Sequence, residues 1–149
     1  GRGRVRPPTM VVRTSTRFRR ERTVVPTARA FAAHALVSAA VPPDIVEHLV
    51  LAVAEACNNA ILHAEGDDFT VSVAVERGRA LVTVADHGAG FVPPARPSMP
   101  GPHATGHRGL ALLQALVDDV DVVSDRAGTT VMLAQAFTPD GHLPRVPVV

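Results

Sequence analysis

Apolar positions fall into alternating and helical runs separated by proline or glycine. From Met10 to Val25, MVVRTSTRFRRERTVV alternates enough to hold one strand. Pro26 suits the first turn of a helix reaching about Val41, whose inward set Ala28, Phe31, Ala32, Ala35, Leu36 and Ala39 follows the helical period. Pro42 and Pro43 break the chain. Asp44 is placed to cap a second helix running through Ile45, Leu49, Ala52, Val53 and Ala56 to about Ala64. In FTVSVAVERGRALVTVAD, Phe69, Val71, Val73 and Val75 alternate, Arg77-Gly78 turns, and Leu81 to Ala85 returns as a hairpin. Phe91 to Thr105 holds five prolines and few core candidates, and a loop of that length is functional or disordered. A third helix from about Gly109 to Asp118 directs Leu110, Leu113, Leu116 and Val117 inward. VDVVSDRAGTTVMLAQ closes as two strands around a turn at Arg126-Ala127-Gly128.

Helices gathered between strand pairs predict an α+β two-layer sandwich, with the helices on one face of a mixed, mostly antiparallel sheet. The expected division is a basic arm at 1–22, partly disordered or holding the first strand, a domain at 23–137, and a loose tail at 138–149.

Composition narrows this reading. The 149 residues suit one domain with a sizeable core. Apolar residues reach 46% but aromatics only 3%, so Ala, Val and Leu must fill that core. The single Cys57 excludes an intramolecular disulfide, is expected to be a packing residue, and fits a reducing, cytoplasmic setting. The apolar run Ala30 to Val41 is too short for a membrane span and contains His34 and Ser38, so no membrane association is expected. Net charge is +1, yet eight of the fifteen arginines lie in residues 1–22. A solvated arm is favoured over a nucleic-acid grip there, and direct nucleic-acid binding is not expected. His34 and His48 are expected on exposed helix faces, and His87, His103 and His107 are too irregularly spaced for a metal cluster.

Four segments carry candidate chemistry. In LAVAEACNNAILHAEGDD, the polar residues Glu55, Asn58, Asn59 and His63 interrupt an apolar helix. Glu55 and Asn59 stack one turn apart, where a carboxylate can accept a proton and an amide oxygen can bind a hard cation such as Mg2+. The plainer reading, the border of an amphipathic face, stays open from these residues alone. In VADHGAGF, a strand ends in Asp86 and is followed by Gly88 and Gly90. A carboxylate there can accept from an exocyclic amine, and glycines admit a flat ring close to the backbone, although a simple turn has the same pattern. In TGHRGLALLQ, Gly106 and Gly109 open a helix whose free N–H groups suit an anion, with Arg108 adding a charge-assisted contact. In GTTV, Thr130 offers a hydroxyl to a base.

Together, in this order, the four segments resemble the ATP-binding module of the GHKL superfamily, the Bergerat fold of DNA gyrase and histidine kinases, over roughly residues 24–136. The resemblance implies that Glu55 is the general base, Asn59 the Mg2+ ligand and Asp86 the adenine reader flanked by Gly88 and Gly90. It also implies that the proline-rich loop is an ATP lid closed by Gly106, Arg108, Gly109 and Leu110, and that Thr130 lies near adenine. The helix face bearing Asn58, Asn59 and His63 would then line the nucleotide pocket. Within the superfamily the chain is most similar to bacterial anti-sigma factor serine/threonine kinases, through Glu55-Ala56-Cys57-Asn58-Asn59-Ala60-Ile61-Leu62-His63 and the GTTV ending. That similarity implies an ATP- and Mg2+-dependent protein kinase, a sigma factor and a STAS-type anti-anti-sigma protein as partners, Arg29 at the partner interface, and a homodimer. His107 stands where glycine is usual in the lid-closing motif. The alternative is a non-catalytic, ATP-dependent regulatory binding module of the same fold.

Overall fold

The computed structural model describes residues 11–63, 66–87, 112–125, 128–138 and 141–142. Strand β1 (Val12–Arg19) leads through a 3-10 turn (Arg22–Val24) into helices α1 (Val25–Ser38) and α2 (Pro43–His63). The hairpin β2 (Asp68–Glu76) and β3 (Arg79–Asp86) follows, then a helix, α3, described at 112–116. The chain continues through β4 (Asp119–Asp125), β5 (Gly128–Thr138) and the two-residue β6 (Gly141–His142).

The strands run in the order β1-β2-β3-β5-β4, with β6 added beside the far end of β5. The α+β sandwich is as expected, but every described pairing is antiparallel, so the mixed sheet is corrected to a wholly antiparallel one. The reason is topological. Strand β4 has the direction of β3, but β5 inserts between them and runs opposite to both. The expectation of a loose tail beginning at residue 138 also changes, because Thr138 belongs to β5 and pairs with Gly141.

One face of the sheet is covered. Helix α1 packs over β1 and β2, and α2 over β3 and β5. Period-two alternation supplies the covered face: Phe69, Val71, Val73 and Val75 on β2 lie opposite Asp86, Val84, Val82 and Ala80 on β3. Each fully buried valine contributes roughly 1.5–3 kcal/mol relative to exposure. The few aromatics gather at one end, where Phe18 stacks on Phe69 at 5.8 Å and meets the edge of Phe31 at 6.2 Å.

Helix ends follow local chemistry, with two departures from expectation. Helix α1 stops at Ser38 because Ala40 adopts φ 64°, and Val41 N–H donates to Leu36 O and Ala40 N–H to Val37 O. This is a Schellman ending with alanine where glycine is preferred. Helix α2 begins at Pro43, which places Asp44 inside the first turn instead of at the cap. Helix α2 is also long and apolar enough, by length and composition, to cross a membrane. Its apolar stripe Ile45, Leu49, Ala52, Val53, Ala56 and Cys57 is instead buried as core. The β2–β3 hairpin turns at Arg77 (φ 51°) and Gly78 (φ 76°), both left-handed as a type I′ turn requires.

Candidate functional site

The site grows from the flank of α2 and the strand ends beneath it. With about 100° between successive helical residues, Asn59 lies roughly 40° from Glu55, and both border the buried stripe. Both are half-buried. Asn58 lies about 60° to the other side of Glu55. It is exposed and lines an open cleft of about 470 Å³ with Arg22, Val25, Ile61 and Leu62. His63 is exposed in the last turn. Among the described residues, no hydrogen bond or ion pair engages the side chains of Glu55, Asn58, Asn59 or His63. The Glu55 carboxylate and Asn59 amide are therefore available to a ligand. Cys57, between them in sequence, is fully buried, and desolvation pushes its thiol up to about 12, which makes it a packing residue and no nucleophile.

Asp86 ends β3 on the helix-covered face, because it continues the parity of Val82 and Val84. Its Oδ1 accepts a hydrogen bond of 3.1 Å from the backbone N–H of Thr129, the second residue of β5. Register decides which threonine accompanies it. Val84 pairs with Val131 and Ala85 with Thr130, so Thr129 shares the face of Asp86 and Thr130 points to the opposite face of the sheet. The residue beside the carboxylate is thus Thr129, one position before Thr130. Thr129 Oγ1 also shares a 2.8 Å hydrogen bond with Ser124 on β4. The GTTV motif pointed to Thr130, and only pairing with β3 shows which threonine adjoins Asp86.

These pieces lie toward one end of the sheet. The turn after α2 returns the chain to Asp68 at the start of β2, and Phe69 pairs with Asp86. The C-terminal half of α2 therefore stands at the same end of the sheet as Asp86 and Thr129. Val122 lies on the helix-covered face of β4, opposite Val131, yet is 42% exposed. Gly88, Gly90, Gly106, Arg108, Gly109 and Leu110, with the proline-rich loop, His103 and His107, lie outside the described residues. Of the third helix, Leu113 and Val117 are buried as expected and Leu116 is half-buried. Arg29 is exposed on α1, as are His34 on α1 and His48 on α2.

Behind Asp86, His87 Nε2 and Thr70 Oγ1 share a 2.8 Å hydrogen bond. Gly66 packs so tightly against the His87 carbonyl that any Cβ would overlap it. A second open cleft of about 410 Å³ adjoins this turn, lined by Arg19, Arg20, Glu21, Gly66, Asp67 and Asp68. Sequence reading missed Arg20 and Gly66, since their partners are distant in the chain.

Comparison with known proteins places this geometry. The serine-protein kinase RsbW of Bacillus pumilus is 35% identical over a match covering 58% of this chain and 63% of that protein. The Bacillus subtilis protein of the same name is 33% identical, covering 62% and 65%. The Listeria monocytogenes serotype 4a protein is 31% identical, covering 60% and 65%. The chain therefore spans a little under two thirds of the length of the curated relatives it matches. The crystal structure of the RsbU and RsbW domains of a Mycobacterium tuberculosis protein superposes with a TM-score of 0.64 at 19% identity, covering 83% of this chain and 31% of that one, which establishes the shared fold. The pattern described as "Histidine kinase-like ATPase domain" matches residues 18–135, including α2, β3 and the Thr129 end of β5, and the chain belongs to that family.

Proposed function

We propose that the chain binds Mg2+–ATP beside α2, at the end of the sheet that carries Asp86, and transfers the γ-phosphoryl group to a Ser or Thr of a STAS-type anti-anti-sigma protein. In this reading it also sequesters a sigma factor and thereby regulates transcription in the cytoplasm. The observation that carries it is the Asp86 carboxylate, held by Thr129 N–H on the sheet face that α2 covers, at the end of the sheet reached by Glu55 and Asn59. The names of the serine-protein kinase relatives and the anti-sigma kinase motifs support the same reading.

Each residue then has one task. Asp86 accepts from the adenine amine, with Thr129 in the place first expected of Thr130, and Gly88 and Gly90 admit the ring. Gly106, Arg108, Gly109 and Leu110 would contact the phosphates. Glu55 takes the proton from the attacking hydroxyl. Asn59 supplies one amide oxygen to Mg2+, which suits a cation usually shared with substrate phosphates and water. The bound cation would neutralise charge on those phosphates. Catalysis in this class is mostly positioning and electrostatics, which matches a site with few reactive groups. Asn58 and His63 border the phosphate-proximal helix end. Arg29, exposed on α1, contacts the protein partner.

A homodimer is part of this proposal. The outer sheet face has an uncharged centre (Ala74, Thr83, Ala85 and Met132), Arg13 and Arg17 at one edge, and Asp119 and Asp121 at the other. A two-fold partner would set opposite charges together. Sedimentation equilibrium measures this, and a monomer at high micromolar concentration removes it.

The deciding experiment is calorimetric titration of Mg2+–ATP into wild type and Asp86→Asn. Loss of a charged acceptor should cost about 1.5–3 kcal/mol, roughly 10- to 150-fold in affinity. Glu55→Gln should retain ATP binding and lose phosphoryl transfer. Wild type that binds ATP but transfers nothing to any STAS protein leaves the non-catalytic ATP-dependent module. No nucleotide binding removes both readings.

A further inference from the structure

Helix α2 ends at His63, and the carbonyls of its last turn have no partner within the helix. One of them, Ile61 O, accepts a 2.7 Å hydrogen bond from Arg20 Nη1. Arg20 Nε donates to Gly66 O at 2.8 Å, and the Arg20 backbone N–H donates to Asp67 O at 3.0 Å. One residue beyond β1 therefore grips both the helix end and the turn that follows. The guanidinium is half-buried and stands at the negative end of the helix dipole. Its planar fork spans two carbonyls, which a lysine ammonium cannot do in the same geometry. Neighbouring Arg17 and Arg19 differ: they make loose surface pairs with Asp68 and Glu21 at 3.6 and 3.9 Å.

The gripped turn bears directly on the strand end. Gly66 abuts the carbonyl of His87, the residue after Asp86, and His87 is tied to β2 through Thr70. A continuous set of contacts thus runs from Arg20 through Gly66 to His87. The Ile61 bond holds α2 two residues beyond Asn59.

We propose that Arg20 is a positioning residue of the nucleotide site, setting the separation between the α2 flank with Glu55 and Asn59 and the β3 end with Asp86. This rests on the reading of Glu55, Asn59 and Asp86 as parts of an ATP site. The test compares wild type, Arg20→Gln, Arg20→Lys and the surface control Arg19→Gln. Mg2+–ATP affinity is measured by calorimetry at low temperature, and backbone amide exchange is followed without nucleotide.

Arg20→Gln should weaken ATP roughly 3- to 30-fold, the range for a residue that acts on a site through its neighbours. Arg20→Lys should recover part of that loss, and Arg19→Gln should stay within about twofold of wild type. Exchange at the residue-20 amide, which donates to Asp67 O, and at the Thr129 amide, which donates to Asp86, should accelerate about tenfold or more in Arg20→Gln. If Arg20→Gln does not fold, the lysine variant carries both readouts. A lower melting temperature with unchanged ATP affinity and unchanged exchange at the Thr129 amide would overturn the proposal, leaving Arg20 as a stabilising contact only. Wild type that binds no nucleotide overturns the reading of the site. The exchange rate at the Thr129 amide, which donates to Asp86, then decides separately whether Arg20 positions that strand end.

Discussion

Two adjacent threonines offer a sharp test, because they differ chiefly in which face of the sheet they occupy. Thr129→Val keeps the β-branched shape and the backbone N–H that donates to Asp86 at 3.1 Å. It removes only the hydroxyl, which in the free protein shares a 2.8 Å hydrogen bond with Ser124 in an exposed setting. A neutral hydrogen bond contributes about 0.5–1.5 kcal/mol, so losing one to the adenine or to its bridging water should weaken ATP roughly 2- to 13-fold. Thr130→Val makes the same chemical change between Ala85 and Val123, on the outer face. Its affinity should stay within about twofold of wild type. The assay is parallel calorimetric titration with Mg2+–ATP, with melting curves to show that both variants remain folded at the titration temperature. Weakening by Thr130→Val with none in Thr129→Val would refute the register argument. Equal losses in both would mean that the strand, and not the hydroxyl, is what the nucleotide senses.

Other expectations are simpler. Ala40→Gly relieves a left-handed residue at the end of α1, exposed to solvent, and keeps both capping hydrogen bonds. The left-handed penalty of about 1–2 kcal/mol, less the extra entropy glycine loses on folding, predicts a gain of about 0.5–1 kcal/mol, read as a higher urea midpoint with an unchanged slope. Cys57 has a thiol held near 12 in the fold against an ordinary 9.0. The folded state therefore binds this proton more tightly, and the associated stability is complete below about pH 9 and lost as pH rises toward 12. Cys57→Ala should lose stability less steeply across that window. Below it, a thiol reagent should label wild type no faster than the protein opens.

Much of the architecture is legible in local pattern. The alternation from Phe69 to Val75 and the stripe from Ile45 to Cys57 were enough to place a strand and a helix, and burial follows both patterns. The α1 boundary was less legible. The sequence allowed a helix to about Val41, but a positive φ at alanine ended it three residues earlier, a conformation composition does not announce. Asp44 looked like a cap because Pro43 was read as a breaker, although proline at a first helical position begins a helix equally well. Glu55, Asn59 and Asp86 stood out because polar groups interrupt apolar runs there, and such interruptions need a reason.

By itself the sequence determined which residues alternate together within each strand and which helix face is apolar, since both depend on spacing along a few neighbouring positions. Tertiary structure decided which of the two alternating sets meets the helices. Whether Thr129 or Thr130 stands beside Asp86 depends on the register of β5 against β3, a pairing across 43 residues that no local pattern encodes. Arg20 is the same case. In sequence it is one of eight arginines in a basic arm, and only packing brings its guanidinium to carbonyls 41 and 46 residues away. Periodicity is a property of adjacent residues, whereas register and long-range capping depend on chain closure, which exists only once the layers have packed.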